Sequence, residues 1–215
     1  MKKLLISISL LASATAFAKN TQTSSSTAST SSKTSFHVNK VLIQGGFGLS
    51  AISGDDFDLQ GSSWSLKGLV SPYDFSFAKL VVGGGLEMED LKRGYKRTGF
   101  LDTSAKAEVS TDYLVFNAGL VFQPWSYLKI IPMLEYAYGF SSTETTTVRN
   151  DLTGDTLSKD KDISTDRFGI TTEALFNVAK NIDLGLTLGL ARQSIDDTDF
   201  TNVNLGLMAS YTLNF

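Results

Sequence analysis

Residues 201–215, TNVNLGLMASYTLNF, close the chain and decide its fold class. Read with a period of two, Val203, Leu205, Leu207, Ala209, Tyr211, Leu213 and Phe215 fall on one face, and Asn202, Asn204, Gly206, Met208, Ser210, Thr212 and Asn214 on the other. A helix would scatter both sets round its axis, so the stretch is a strand with one apolar and one polar side. It is long enough for the roughly 9–11 residues that a tilted strand needs to cross a bilayer.

The same alternation recurs upstream. Val41, Ile43, Gly45, Phe47, Leu49 and Ala51 share the apolar face of strand one, opposite Gln44, Gly46, Gly48 and Ser50. Trp64, Leu66, Gly68 and Val70 mark strand two, Leu80 to Met88 strand three, and Leu114 to Phe122 strand four, each at every second residue. Leu128 to Phe140, Phe168 to Val178 and Ile182 to Leu190 give strands five, six and seven, and residues 201–215 the eighth. Short turns are predicted at 72–74, 124–127 and 179–181, and longer loops at 53–63, 90–110, 141–165 and 194–200. Within the third loop, β-formers at 143–148 and turn residues at 150–155 suggest that strands five and six continue as a hairpin. Pro132 lacks an amide hydrogen and predicts a bulge in strand five.

Backbone amides in hydrocarbon must all be paired, so such strands can cross a membrane only as a closed barrel, with strand one against strand eight. The reading is all-β: an eight-stranded antiparallel transmembrane up-and-down β-barrel. Trp64, Tyr138, Phe140 and Phe168 at one end of the apolar face, and Phe122, Tyr211 and Phe215 at the other with Trp125 and Tyr127 beside them, suit two interfacial girdles. A soluble barrel of the lipocalin kind would turn the apolar face inward. Against it, the second face is rich in Gly, Ser, Thr, Asn and opposite charges, which suits a filling better than a solvated exterior.

Tyr211, Leu213 and Phe215 resemble the carboxy-terminal sorting signal of bacterial outer-membrane β-barrels. Over residues 38–215 the chain resembles the small eight-stranded members of that class, the OmpA-barrel, OmpX and OmpW kind. The resemblance implies an outer-membrane location with both termini periplasmic and the long loops extracellular. It also implies recognition by the barrel-assembly machinery and periplasmic chaperones, and contact with outer-membrane lipids and lipopolysaccharide. A monomer is expected. Residues 1–18 have the charged start, apolar middle and small-residue exit of a signal peptide, and residues 19–37 form a Ser/Thr-rich tail expected to be flexible. The chain has no cysteine, and a net charge of −3 gives no reason to expect nucleic acid.

Charged residues on the inward face at membrane depth include Lys67, Lys79, Glu87, Lys129, Glu135, Arg167 and Glu173. Eight strands leave an interior just wide enough for side chains, so these are expected to form an ion-paired plug; the alternative is a narrow pore or carrier for small or hydrophobic solutes. Lys92, Arg93, Lys96, Arg97 and Arg192 are candidates for lipopolysaccharide phosphates. The groups Asp55, Asp56, Asp58 and Asp196, Asp197, Asp199 read as solvated acidic loops without EF-hand spacing. Gly83-Gly84-Gly85 lacks the Lys-Ser/Thr of a phosphate loop. His37, the one histidine, precedes strand one and reads as solvated. Barrel enzymes acting on lipopolysaccharide acyl chains depend on a histidine near the outer rim with a serine, and there is none here. The expectation is a non-enzymatic structural or surface-interaction protein without a cofactor.

Overall fold

The computed structural model describes residues 40–54, 57–75, 77–97, 103–150 and 153–214. Among them nine strands run in order: β1 Lys40–Gly54, β2 Phe57–Asp74, β3 Lys79–Arg97, β4 Thr103–Trp125, β5 Leu128–Asn150, β6 Thr156–Asp162, β7 Thr165–Ala179, β8 Ile182–Ile195 and β9 Thr198–Asn214. Eight of them close a ring. Each pairs antiparallel with its neighbours in the order β1, β2, β3, β4, β5, β7, β8, β9, and β9 returns to β1 over Lys40 to Ser53. β6 lies outside the ring, paired only with residues 143–149 of β5.

The register fixes the slant of the strands. From Ile43 it passes through Gly68, Gly84, Phe116, Tyr136, Phe168, Arg192 and Thr201 and re-enters β1 at Ser53, ten residues beyond its start. This stagger is even, so a residue that faces outward still does so after a full circuit, and one continuous outer face results.

That outer face is apolar. Leu184, Leu186, Leu188 and Leu190 on β8 and Val203, Leu205 and Leu207 on β9 are all exposed, whereas Asp183, Gln193, Asn202 and Ser210, of opposite parity, are buried. A soluble barrel shows the reverse, so this one has a lipid-facing exterior and a filled interior. Aromatic residues gather at both margins of the belt. Phe47 and Trp64 pack at 4.8 Å between ring centroids at one, and Tyr73–Phe75 and Trp125–Tyr127 pack at 4.7 and 6.0 Å at the other.

The predicted loops are much shorter than expected. β1 and β2 pair as far as Gly54 and Phe57, and β3 and β4 as far as Arg97 and Thr103, so 53–63 and 90–110 are mostly strand. The hairpin expected within 141–165 is present as upper β5 with β6. The extension of β5 with β6 is polar on both faces, and those of β1 to β4 place only isolated large apolar residues, Leu59, Leu91 and Val109, on the inward side, which weakens the alternation that marks a strand in sequence. Residues 194–200 are likewise no loop. β8 and β9 meet through Asp196 and Asp197 alone, at φ 46° and 65°, the two left-handed positions of a type I′ hairpin turn. Aspartate tolerates that region through local hydrogen bonding, whereas a β-branched residue does not. Asp197→Val is therefore expected to cost roughly 1–2 kcal/mol and Asp197→Gly nothing measurable, read from the urea midpoint of the folded protein in lipid.

Pro132 makes no bulge. The β4–β5 register is the same at Gly119↔Met133 and Phe122↔Ile130 on either side of it, and β7 pairs with it directly at Thr172. The missing amide hydrogen is accommodated by a gap in the β4 ladder, with no slip. Shifts fall instead between Asp112 and Tyr113 and between Phe122 and Trp125. Residues 1–37 and Phe215, with the expectations attached to them, lie outside the described residues.

Candidate functional site: a layered lumen

The inward parity of the eight ring strands stacks into three layers. At the short-turn end Leu42, Leu69, Val81, Ile131, Met133, Leu175 and Met208 form a buried apolar cluster. At the long-hairpin end Ile52, Leu59, Leu91 and Val109 form another, with Ile163, Ile195 and Phe200 packed on it. Between them lies the ionic layer.

Arg167 is its hub. Its Nη2 lies 2.9 Å from Glu87 Oε2 and 2.9 Å from Glu135 Oε1, and its Nη1 lies 3.7 Å from Glu89 Oε1. The guanidinium carbon sits 5.1 Å from the centroid of the Tyr113 ring, an additional favourable contact for a planar cation. Lys67 Nζ donates to Glu135 Oε2 at 2.9 Å, and Gln44 Nε2 to Glu173 Oε2 at 2.7 Å. Toward the hairpin end, Gln193 donates to Glu89 and to the Tyr113 hydroxyl at 3.2 and 2.8 Å, and Asn202 donates to Glu89 at 3.3 Å and to Gln193. A cavity of about 40 Å³ remains between Lys67, Glu87, Glu135 and Arg167, room for a few waters only. Buried Glu87 Oε1 and Arg167 Nη1 have no hydrogen-bond partner within the protein.

Of the expected network, Lys67, Glu87, Glu135, Arg167 and Glu173 come together in this layer. Lys79 does not. It lies at the short-turn rim, its side chain 40% exposed, paired with Asp74 at 3.1 Å, because β2 ends and β3 begins there. Lys129 is also apart, bonded at 2.6 Å to Asp183, which Asn177 holds at 3.0 Å. Sequence reasoning left out Glu89 and Asp183 as members, although their parity places them inward. Tyr113, Gln44, Gln193 and Asn202 carry no charge to draw attention, and they meet their partners only through closure.

The proposed phosphate-binding cations are not one site. All of the group 92–97 lies on β3 and not in a loop. The pleat divides Lys92, exposed and 3.4 Å from Glu108, from Arg93, which shares parity with buried Leu91; the side chains of Lys96 and Arg97 lie outside the described residues. Arg192 sits on β8, opposite β3 in the ring, and pairs with Asp199. The second acidic group is dispersed too: Asp196 pairs with Lys161 and Asp199 with Arg192. The Lys161 ammonium, with the Ser164 amide, holds the Asp196 carboxyl below its ordinary range. Asp55 and Asp56 lie outside the described residues, and Asp58 accepts from Ser53 at 2.7 Å. Among the described residues no group of His, Cys, Asp and Glu is arranged to hold a metal ion. Tyr211 is exposed on the outer face of β9, and Leu213 packs with Val41, Ile43 and Val70 beside the β1–β9 seam.

No protein-family model matches the sequence, and no curated protein matches it. Among solved structures, the chain is similar to Ail, the attachment invasion locus protein of Yersinia pestis, at 15% identity and a TM-score of 0.46 over 82% of this chain and 99% of that one. It is similar also to Neisserial surface protein A, at 12% identity and 0.44 over 80% and 96%. A third is the Escherichia coli outer membrane protease OmpT, at 8% identity and 0.42 over 91% and 100%. The barrel assignment rests on the closed ring of pairings, not on these likenesses.

Proposed function

We propose that this chain is a bacterial outer-membrane barrel that acts at its outer surface, without enzymatic activity, and does not conduct through its lumen. The observation that carries this reading is the stack of side chains in the lumen: an apolar layer at each end with a bonded ionic layer between. An ion entering must cross both apolar layers, and the cavity between them is small. The even strand number and the alternation of tight turns with long hairpins support placing both chain ends in the periplasm and the hairpins outside. Lys92 on β3, Lys106 on β4 and Arg192 on β8 would then offer separate cationic contacts to lipopolysaccharide phosphates at the outer rim.

The test is single-channel recording of the folded, full-length protein in planar bilayers. Little or no steady conductance is expected. Large, long-lived openings would displace this reading in favour of the narrow pore.

A further inference from the structure

The two apolar layers are built differently. Every buried residue of the short-turn layer comes from a strand of the ring. In the long-hairpin layer β1, β2, β3, β4, β8 and β9 contribute Ile52, Leu59, Leu91, Val109, Ile195 and Phe200, but β5 and β7 contribute none. The reason is topological. Pairing between β5 and β7 ends at Tyr138↔Asp166, where β5 departs with β6 as its new neighbour. The Ser142 and Thr165 hydroxyls, 2.7 Å apart, mark the parting. The side of the layer left open there is filled by Ile163, from the two-residue link between β6 and β7.

We propose that the link at residues 163–164 is a lid over the outer mouth of the lumen, latched to the β8–β9 turn through Asp196. The latch is local. Asp196 accepts from the Ser164 amide at 3.0 Å and pairs with Lys161, while its own amide donates to Ser164 O at 2.9 Å. One further bond runs from the Ile163 amide to Ser142 O at 3.1 Å. β6, which leads into the link, is exposed at all seven residues and paired along one edge only. These few exposed bonds and one side chain hold the link, whereas each ring strand is held by ladders on both sides, so the link opens at far lower free energy than the barrel. Opening uncovers Leu91 and its neighbours to the outside without breaking the wall. The short-turn layer still blocks passage, so the lid admits solutes to a dead-ended cup and creates no channel.

The lid rests on the closed-lumen reading, and the two fail separately. Conductance of the parent would remove both, whereas a silent parent with a fixed link would remove only the lid. The sequence holds no cysteine, so Leu91→Cys, at a position 1% exposed, reports on the mouth in full-length protein in lipid nanodiscs. The probe is a small charged thiol reagent. Slow labelling is expected in Leu91→Cys alone, and several-fold faster labelling when Ile163→Ser or Lys161→Met is added. Heat-dependent gel mobility should still show a closed barrel, and Thr147→Cys on the hairpin should react at one rate throughout. Asp196→Asn keeps a residue that tolerates the turn and is a third release of the latch. Rapid labelling of Leu91→Cys alone, unchanged labelling in folded variants, or failure of all three variants to fold would each overturn the lid.

Discussion

Arg167→Ala is expected to lower the unfolding free energy in lipid by about 3–5 kcal/mol. The guanidinium is the shared partner of Glu87, Glu135 and Glu89, and its side chain is 5% exposed. Deletion leaves buried carboxylates facing one another, with Lys67 bonded only to Glu135, and an uncompensated buried charge costs more than an intact pair contributes. Arg167→Lys should recover part of the loss. An ammonium on a flexible stem restores the charge, but it does not reproduce the planar fork that bridges two carboxylates beside the Tyr113 ring. Urea or guanidinium unfolding in lipid, followed by fluorescence of Trp64 and Trp125, checks the order: parent, then lysine, then alanine. Alanine equal to parent would mean that the layer is hydrated enough to screen its own charges.

The same comparison separates an ionic layer from a generic polar one. Glu135 accepts from Lys67, Arg167 and Thr171 at once, so Glu135→Ala leaves Lys67 buried without its partner, although Arg167 keeps Glu87, and belongs in the same range. Lys79→Ala removes a half-exposed pair at the rim, where the expected loss is at most about 1 kcal/mol.

The division between legible and illegible follows the physics of alternation. Strand faces were readable because lipid on one side and a packed lumen on the other impose opposite chemistry on successive residues, as in Leu184 to Leu190 against Asp183 to Gly189. Thr143 to Arg149 carry no alternation, and from Ser104 to Ser110 the small residues Ala105 and Ala107 leave it faint, so the sequence alone suggests loops at both. In sequence Asp196-Asp197 suits an acidic loop as well as a type I′ turn, and only backbone geometry decides. Inward Leu69, Val81, Ile131 and Met133 stood out in sequence merely as apolar residues on a polar face; that they meet as a layer depends on ring closure. Closure also brings Gln44 to Glu173, 129 residues apart. Lys92, Arg93, Lys96 and Arg97 are close in sequence and Arg192 lies near the top of its strand, but the pleat of β3 and the width of the barrel separate the five.

Leu186→Arg tests the facing that all of this depends on. Leu186 is 50% exposed on β8, between Leu184 and Leu188 on the lipid side and beside Leu207 of β9. A guanidinium there must lie in hydrocarbon or reach for the interface, at an expected cost of roughly 2–4 kcal/mol near the bilayer midplane. Thr187 is the contrasting position. It has the opposite parity, pairs with Gly206 and lines the cavity that holds Glu87 and Glu135. An arginine at 187 meets Glu87 and Glu135, and also Lys67 and Arg167, in place of lipid, and its penalty is one of volume and like charge in a cavity of about 40 Å³. The two variants should therefore part company when lipid is exchanged for detergent. The loss at 186 shrinks as the hydrocarbon slab is replaced by a deformable micelle, whereas the loss at 187 does not. Spin labels at the two sites give the same answer without a charge: 186 accessible to lipid-soluble oxygen, 187 shielded from it. If 186 were instead reached by water-soluble quenchers and 187 by oxygen, the barrel would be inside out relative to the assignment made here, and the layered lumen would lose its basis.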